Sequence, residues 1–358
     1  MKKLCLLLAA LIIFLTGCAN NAAKQKVWDV PTQTVTDCFG RQVIMPENVD
    51  RVAATYSPAG HITVMLGHGK SIVATSNGLQ RDKLLHVICP DVQNAVVVKV
   101  SGDFNIEELI ALDIDVVFLS WDMAADEKAV KKLDEFGIPY MVVAFNSIEE
   151  QKKLVNILAD VFNEEEKALK YSGFYDNIIA QTQKALAPLT QYQKARVYHS
   201  INEAVATVGK NTLPEDWMKA AGGIDVSLDG ALTLEDDKYY TTLEQILKWD
   251  PDVILCNVEE TAGYIKTQEA WQNLQAVKNK KVYLMPVGIS RWGHTTSIET
   301  PLVILWTAKT LYPDYCRDIN MNVLVKEFYS TLFDYGITDE QLKQILEGKG
   351  MRLSKDLE

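Results

Sequence analysis

From residue 51 onward the chain alternates short continuous apolar runs with longer stretches of helical period. Arg51-Val-Ala-Ala-Thr55, Ser71-Ile-Val-Ala-Thr75, Val116-Val-Phe-Leu119 and Tyr140-Met-Val-Val-Ala144 show no polar alternation, the character of parallel strands covered on both faces. Helical segments lie between them, which is the rhythm of an open α/β sheet. That rhythm then breaks. Residues 149–162 and 164–187 are predicted as helices, the second opening on Glu164-Glu165-Glu166, which suits the positive end of a helix dipole. Ala168, Tyr171, Tyr175, Ile178, Ile179 and Thr182 fall along one side of this helix. Its length corresponds to about 36 Å at 1.5 Å per residue, and Pro188 stops it. Strands resume at Ala195-Arg-Val-Tyr-His-Ser200, Val253-Ile-Leu-Cys256 and Val282-Tyr-Leu-Met285. Thr212-Leu-Pro-Glu215 reads as a capping box opening a helix that Gly222-Gly223 closes, and a last pair of helices is predicted at about 300–311 and 321–347.

The chain also repeats itself. Asn105-Ile-Glu-Glu-Leu-Ile-Ala-Leu-Asp-Ile-Asp-Val-Val-Phe118 aligns without gaps on Thr242-Leu-Glu-Gln-Ile-Leu-Lys-Trp-Asp-Pro-Asp-Val-Ile-Leu255, at a constant offset of 137 (242 − 105). Glu107/Glu244, Asp113/Asp250, Asp115/Asp252 and Val116/Val253 are identical pairs. Each copy reads as a short helix, an acidic turn and a buried strand. The predicted fold is therefore α/β, with two related lobes on central parallel sheets. One long backbone helix joins them and a ligand cleft lies between. The lobes are assigned to residues 27–162 and 189–358, and the connecting helix to 163–188.

What precedes the first lobe has a different composition. Met1-Lys2-Lys3 is a positive start and Leu4 to Leu15 is unbroken and apolar. A bilayer-spanning helix needs about 20 apolar residues, so this shorter run fits the core of a signal peptide over residues 1–17. Leu15-Thr16-Gly17-Cys18 resembles the lipobox of bacterial lipoproteins, which implies that Cys18 is diacylated. Two acyl chains give stable anchoring where one does not. The small polar residues that follow, through residue 26, read as a flexible tether, which places the body outside the membrane it is tied to. The chain carries 36 Lys and Arg against 47 Asp and Glu, a net charge of −11. Loss of Lys2 and Lys3 with the leader makes it −13 (−11 − 2). A sequence-independent nucleic-acid binder needs a basic face to replace counterions on phosphates, and this balance argues against such a partner. Cys38, Cys89, Cys256 and Cys316 are widely spaced without a C-x-x-C pair, which leaves either one disulfide or four free thiols.

Local text carries a family resemblance over nearly all of the mature chain. Val35-Thr-Asp-Cys-Phe-Gly-Arg41 with Pro46 and Arg51-Val52 is similar to an opening "TD-x-x-GR-x-V-x-x-P … RVV". Asn105-Ile-Glu107 through Asp115-Val-Val117 is similar to "N-L-E-x-I-x-x-L-x-P-D-L-V", with Ile114 at the usual proline. Leu305-Trp-Thr-Ala-Lys-Thr-Leu-Tyr-Pro313 is similar to "W-x-A-K-x-L-x-P". In this order behind a lipobox, they resemble the helical-backbone (class III) substrate-binding proteins of ABC importers. The subgroup concerned carries ferric siderophores, haem or cobalamin. The resemblance implies that Glu107 and Glu244, one per lobe, dock on arginines of a permease whose partner ATPase drives release. Two carboxylates on separate lobes would read out lobe spacing. As plain residues, both are also ordinary acids at helix N-termini.

Ligands of open α/β lobes sit outside the carboxyl ends of the strands. That rule nominates Tyr56, Trp121, Asp122 and Asn146 in the first lobe. In the second it nominates Asn202, Trp217, Asn257 and the run Arg291-Trp292-Gly293-His294. Aromatic rings give contact area at low entropic cost, and arginine forks anionic oxygens. Each has a plainer reading: Trp121 and Trp217 as core, Asn202 and Asn257 as turn caps, and Arg291 as a partner of Glu299. Five scattered histidines do not promise the three or four converging donors of a bare transition-metal site. The expected cargo is a ferric chelate of siderophore type, whose own oxygens satisfy the metal; haem and cobalamin are the alternatives. The chain itself is expected to use no cofactor. No G-x-S-x-G, H-E-x-x-H, P-loop or dinucleotide motif is present, so an exported cleft enzyme is the weaker reading.

Overall fold

A computed structural model describes residues 26, 28–100, 103–235 and 238–353. The expected signal peptide, Cys18 and nearly all of the tether lie outside these residues. Among the described residues no helix is long and apolar enough to cross a membrane.

A hairpin of β1 (Thr32–Thr36) and β2 (Gln42–Pro46) opens the chain. The first lobe follows as β3 (Val52–Ala54), β4 (Ile72–Ser76), β5 (Val96–Val100), β6 (Asp103–Phe104), β7 (Val116–Leu119) and β8 (Tyr140–Val142). They form one sheet in the order β6-β5-β4-β3-β7-β8, parallel except for β6. The second lobe contains β9 (Arg196–Ser200), β10 (Ala206–Thr207), β11 (Ile224–Asp225), β12 (Thr233–Glu235), β13 (Lys238–Tyr240), β14 (Val253–Cys256) and β15 (Val282–Leu284). Its parallel sheet runs β11-β9-β14-β15, and β10, β13 and β12 make a small antiparallel sheet. The strand order reverses between β3 and β7 in one lobe and between β9 and β14 in the other. These are the switch points where open sheets leave a crevice.

The predicted backbone helix is present as Glu165–Leu186, 22 residues or about 33 Å. It packs on the helices Ile148–Phe162, Leu213–Ala220, Thr300–Leu311 and Met321–Leu332, so both lobes share it. Strand alternation divides the interior in the same way on each side. Val116 and Phe118 of β7, with Val253 and Leu255 of β14, face a common core around this helix. Val117 and Leu119 face a separate core of the first lobe, and Ile254 and Cys256 face one of the second. At about 25 cal/mol per Å² of apolar surface buried, this shared core stabilises the lobe pair.

The repeat is a structural one. Asn105 and Thr242 cap their helices, accepting from the N–H of Glu108 and Gln245. Asp113 and Asp250 then turn the chain in the left-handed region, with φ of 46° and 41°. Two predictions need correction. The 321–347 helix is two, Met321–Leu332 and Asp339–Leu346, because Asp334 takes a left-handed φ of 51° and Thr338 with Gln341 forms a fresh capping box. Thr212 heads its helix but makes no capping box: its hydroxyl donates to the Gly209 carbonyl, and Glu215 accepts the Asn211 N–H instead. The four described cysteines are free thiols.

Candidate functional site

The carboxyl edge of the first sheet presents an open aromatic and charged rim. Trp121, immediately after β7, is 60% exposed and stacks on Phe39 of the β1–β2 turn, with centroids 5.2 Å apart and planes at 15°. The Cys38 N–H donates to the Val142 carbonyl, which holds that turn against the end of β8. Beside the pair, Lys99 Nζ donates to Ser120 Oγ (3.1 Å) and lies 3.5 Å from Asp122. Burial lowers the Lys99 pKa, and Asp122 partly offsets this. Tyr56, after β3, is half-buried against Phe145. Burial, then the nearby Asp122 and Cys38, push its hydroxyl well above the ordinary value, so it stays protonated and able to donate. Asn146 is exposed, and its N–H donates to Glu150.

The second lobe is arranged differently. Trp217 and Trp292 are both 0% exposed, which corrects the expectation that their rings face a ligand. They support the loop instead. Trp217 Nε1 donates to the Gly293 carbonyl (3.2 Å), and Asn257 Nδ2 donates to the Trp292 carbonyl (2.6 Å). His199 Nε2 lies 2.8 Å from Asn257 Oδ1, which fixes its tautomer as the Nε2 donor, and burial pushes its pKa down to about 4. Gly293 has a φ of 77°, and a Cβ there would sit 2.5 Å from Met285 and 2.9 Å from Trp217. Only glycine fits both demands. Asn257, expected at the ligand, is thus 3% exposed and structural.

On this platform stands Arg291, whose Nη1 donates to Asn202 Oδ1 (2.7 Å). Its alternative partner is taken. Glu299 is buried and accepts from the Tyr329 hydroxyl and from Ser290 N and Oγ, both at 2.7 Å. Among the described residues Arg291 has no ion pair. What it has is another cation nearby. Burial first, and then the charge of Arg81, push its pKa down to about 10. Arg81 comes from the first lobe, just after the turn that follows β4, and its Nε and Nη2 donate to the Leu353 carbonyl (3.2 and 3.1 Å). Arg81 and Arg291 come from opposite lobes, and neither has an ion pair among the described residues. The helix Ser57–Met65 begins at the same edge, after β3, and adds its positive end. His294 is half-buried and bonded through Nδ1 to Thr296 (3.0 Å). No group of three His, Cys, Asp or Glu able to hold a metal occurs among the described residues.

Sequence reasoning missed Arg81, Lys99 and Phe39. Arg81 lies five residues past the end of β4, beyond the helix Asn77–Gln80 and outside the reach of the strand-end rule. Glu107 and Glu244 are exposed on equivalent helices, with pKa values lowered chiefly by their own helix N–H groups and then by Lys132 and Thr242 respectively.

The profile of the "Periplasmic binding protein" family matches residues 52–287. The chain belongs to that family. This periplasmic binding protein is similar to the molybdate-binding protein MolA of Haemophilus influenzae, at 26% identity over 84% of this chain and 90% of the relative. It is also similar to the ABC transporter substrate-binding lipoprotein YvrC of Bacillus subtilis, at 25% identity over 87% and 97%. A periplasmic solute-binding protein of Veillonella parvula superposes with a TM-score of 0.75 at 25% identity, covering 88% of this chain and 97% of that one. The family is the helical-backbone one that the sequence resembles. The periplasmic binding protein is a substrate-binding component of an ABC transporter and not an enzyme.

Proposed function

We propose that this protein captures an anionic metal–oxygen ligand between Arg81 and Arg291 and delivers it to a permease. The observation that carries the reading is one arginine from each lobe, Arg81 held on the Leu353 carbonyl and Arg291 on Asn202, neither in an ion pair among the described residues. Like charges at this depth repel, so an anion that accepts from both would convert a cost of the open protein into a reason to close. A compact oxyanion such as molybdate, the ligand named for the Haemophilus relative, suits two forks and the Tyr56 hydroxyl. A ferric chelate of siderophore type is the second reading, favoured by the exposed Phe39–Trp121 stack, which offers contact area that a bare oxyanion does not need. Haem gains no support at Tyr56, whose hydroxyl is held protonated.

The remaining steps belong to the same proposal. Cys18 carries the lipid anchor that ties the extracytoplasmic body to the cell membrane, and Glu107 and Glu244 dock on the permease. The lobe boundaries at 162–163 and 188–189 mark the ends of the shared helix. Titration of intrinsic tryptophan fluorescence with molybdate, tungstate, ferric citrate, a ferric siderophore, haem and cobalamin separates the ligands. Arg81→Ala and Arg291→Ala should each weaken the anion that binds by about a hundredfold, as expected for losing a charged hydrogen bond in a buried site. Unchanged affinity in both variants, or binding of cobalamin alone, refutes the anion reading. Replacing both docking glutamates by alanine should abolish uptake and leave affinity intact; normal uptake would remove that role.

A further inference from the structure

The end of the chain crosses from one lobe to the other. Val287 N donates to the Ile345 carbonyl (3.0 Å) and Lys349 pairs with Glu259 (2.6 Å), which fixes residues 345–349 on the second lobe. Two residues later the contacts belong to the first lobe. Lys83 N donates to the Met351 carbonyl (3.0 Å), and Leu353 N donates to the Arg81 carbonyl (2.9 Å). Between them Asp82 and Arg352 face each other in an isolated antiparallel bridge. The Arg352 guanidinium meets the Asp82 carboxylate through Nη1 and the Gly78 carbonyl through Nη2 (3.0 Å). Asp82 is 0% exposed, and His61 Nε2 lies 2.8 Å from its other oxygen. Burial and then the Arg352 charge push His61 down to about 3, so of these two neighbours only Arg352 brings a positive charge to Asp82. The Leu353 carbonyl, in turn, accepts both Nε and Nη2 of Arg81.

We propose that Arg352 is a positioning residue for ligand capture. Its ion pair with Asp82 clamps residues 351–353 onto the first lobe, and the clamped Leu353 carbonyl holds the Arg81 guanidinium for the ligand. The inference rests on the reading of Arg81 and Arg291 as anion contacts. A buried carboxylate left without its cation is costly, so the clamp is strong for a short surface segment. A carbonyl that accepts two N–H groups fixes the plane of a guanidinium, which a freely rotating side chain would have to order on binding. Because the strap is anchored on the second lobe at Lys349, the same contact ties Arg81 to the lobe spacing.

The test compares the intact protein with Arg352→Ala, Arg352→Lys and Arg81→Ala, using hydrogen exchange without ligand and titration with molybdate and ferric citrate. Arg352→Ala should speed exchange of the Lys83 and Leu353 amides at least about tenfold while the β7 amides keep their protection. It should also weaken the anion that binds by about tenfold, and Arg352→Lys should recover most of both effects. Should the alanine variant fail to fold, Arg352→Gln removes the charge and keeps a donor for Gly78. Amides that stay protected in a variant lacking the charge overturn the clamp, whatever the ligand. Freed amides with unchanged affinity, where Arg81→Ala does weaken binding, overturn the positioning role alone. If Arg81→Ala also leaves affinity unchanged, the anion reading fails and the positioning role falls with it.

Discussion

Asp115 and Asp252 do the same work in the two lobes. Each carboxylate accepts the N–H of the arginine at the amino end of the neighbouring strand, Arg51 at 2.9 Å and Arg196 at 2.8 Å, and each aspartate returns its own N–H to that arginine's carbonyl. The helix caps and left-handed turns before them correspond as well. At the carboxyl ends of the same sheets the likeness stops. The first lobe leaves Trp121 and Phe39 open and sets Lys99 beside Asp122. The second buries Trp217 and Trp292 and stacks His199 and Asn257 beneath one loop so that a single arginine emerges. The duplicated part holds strands in register. The part that differs carries the proposed ligand contacts. One lobe offers an exposed aromatic rim and the other a buried, hydrogen-bonded platform beneath a single arginine.

The largest effects should show where the lobes are alike. Phe118 and Leu255 occupy equivalent strand positions in the common core, and both are 0% exposed. Phe118→Ala should cost about 3–5 kcal/mol and Leu255→Ala about 2–5 kcal/mol. Because these side chains meet around one helix, urea unfolding of either variant should stay a single transition. Two separated transitions would mean that the lobes are independent domains and that the shared core does not couple them.

A buried histidine separates the lobes more finely. His199 answers to a neutral amide, whereas His61 lies against a carboxylate already paired with Arg352. Burial depresses His199 from 6.5 to about 4. A base with a depressed folded pKa contributes stability that is present above its unfolded pKa and lost as pH falls through the folded one. For His199 that loss amounts to about 2 kcal/mol between pH 8 and pH 5. Urea midpoints of His199→Gln and the parent at the two pH values should therefore differ in slope by about that amount. Parallel pH profiles would mean that burial does not depress His199 in the folded protein.

How far the chain could be read in advance follows the same division. The β7 and β14 strands, the repeat and the backbone helix were legible because local patterns determine them: unbroken apolar runs, a capping residue, a stop at proline. The hairpin β1–β2 and the exposed strand β5 were not read, since their alternating and short patterns resemble loops. At the site, Arg291 was legible as an arginine in a loop after the last strand. Its relation to Arg81 was not, because it depends on two loops more than 200 residues apart (291 − 81 = 210). Trp217 looked like a platform because a strand-end rule sees position and not depth. Only the fold shows that Gly293 folds back over its ring. Arg352 left no local trace at all. Its partner Asp82 lies 270 residues away.

The smallest expected difference probes the repeat itself. Asp113 and Asp250 both sit at positive φ, 46° and 41°, where glycine avoids the steric cost that any Cβ incurs. If backbone strain were the whole story, glycine at either site would stabilise by a similar amount, about 0.5–1 kcal/mol. The side chains differ in what they hold. The Asp113 carboxylate pairs with Lys26 at 2.7 Å on an exposed surface, a contact worth about 0–1 kcal/mol. The Asp250 carboxylate instead accepts the N–H of Gln275 at 2.8 Å, the first residue of the helix Gln275–Lys278, and so caps a neighbouring element. Losing such a cap costs about 0.5–2 kcal/mol. Asp113→Gly should therefore leave stability unchanged or raise it slightly, while Asp250→Gly should lower it by about 0.5 kcal/mol net. Thermal or urea unfolding of the two variants decides it: shifts of the same sign would mean that both turns are set by backbone strain alone, and opposite signs would mean that the second copy has taken on a tertiary duty the first never acquired.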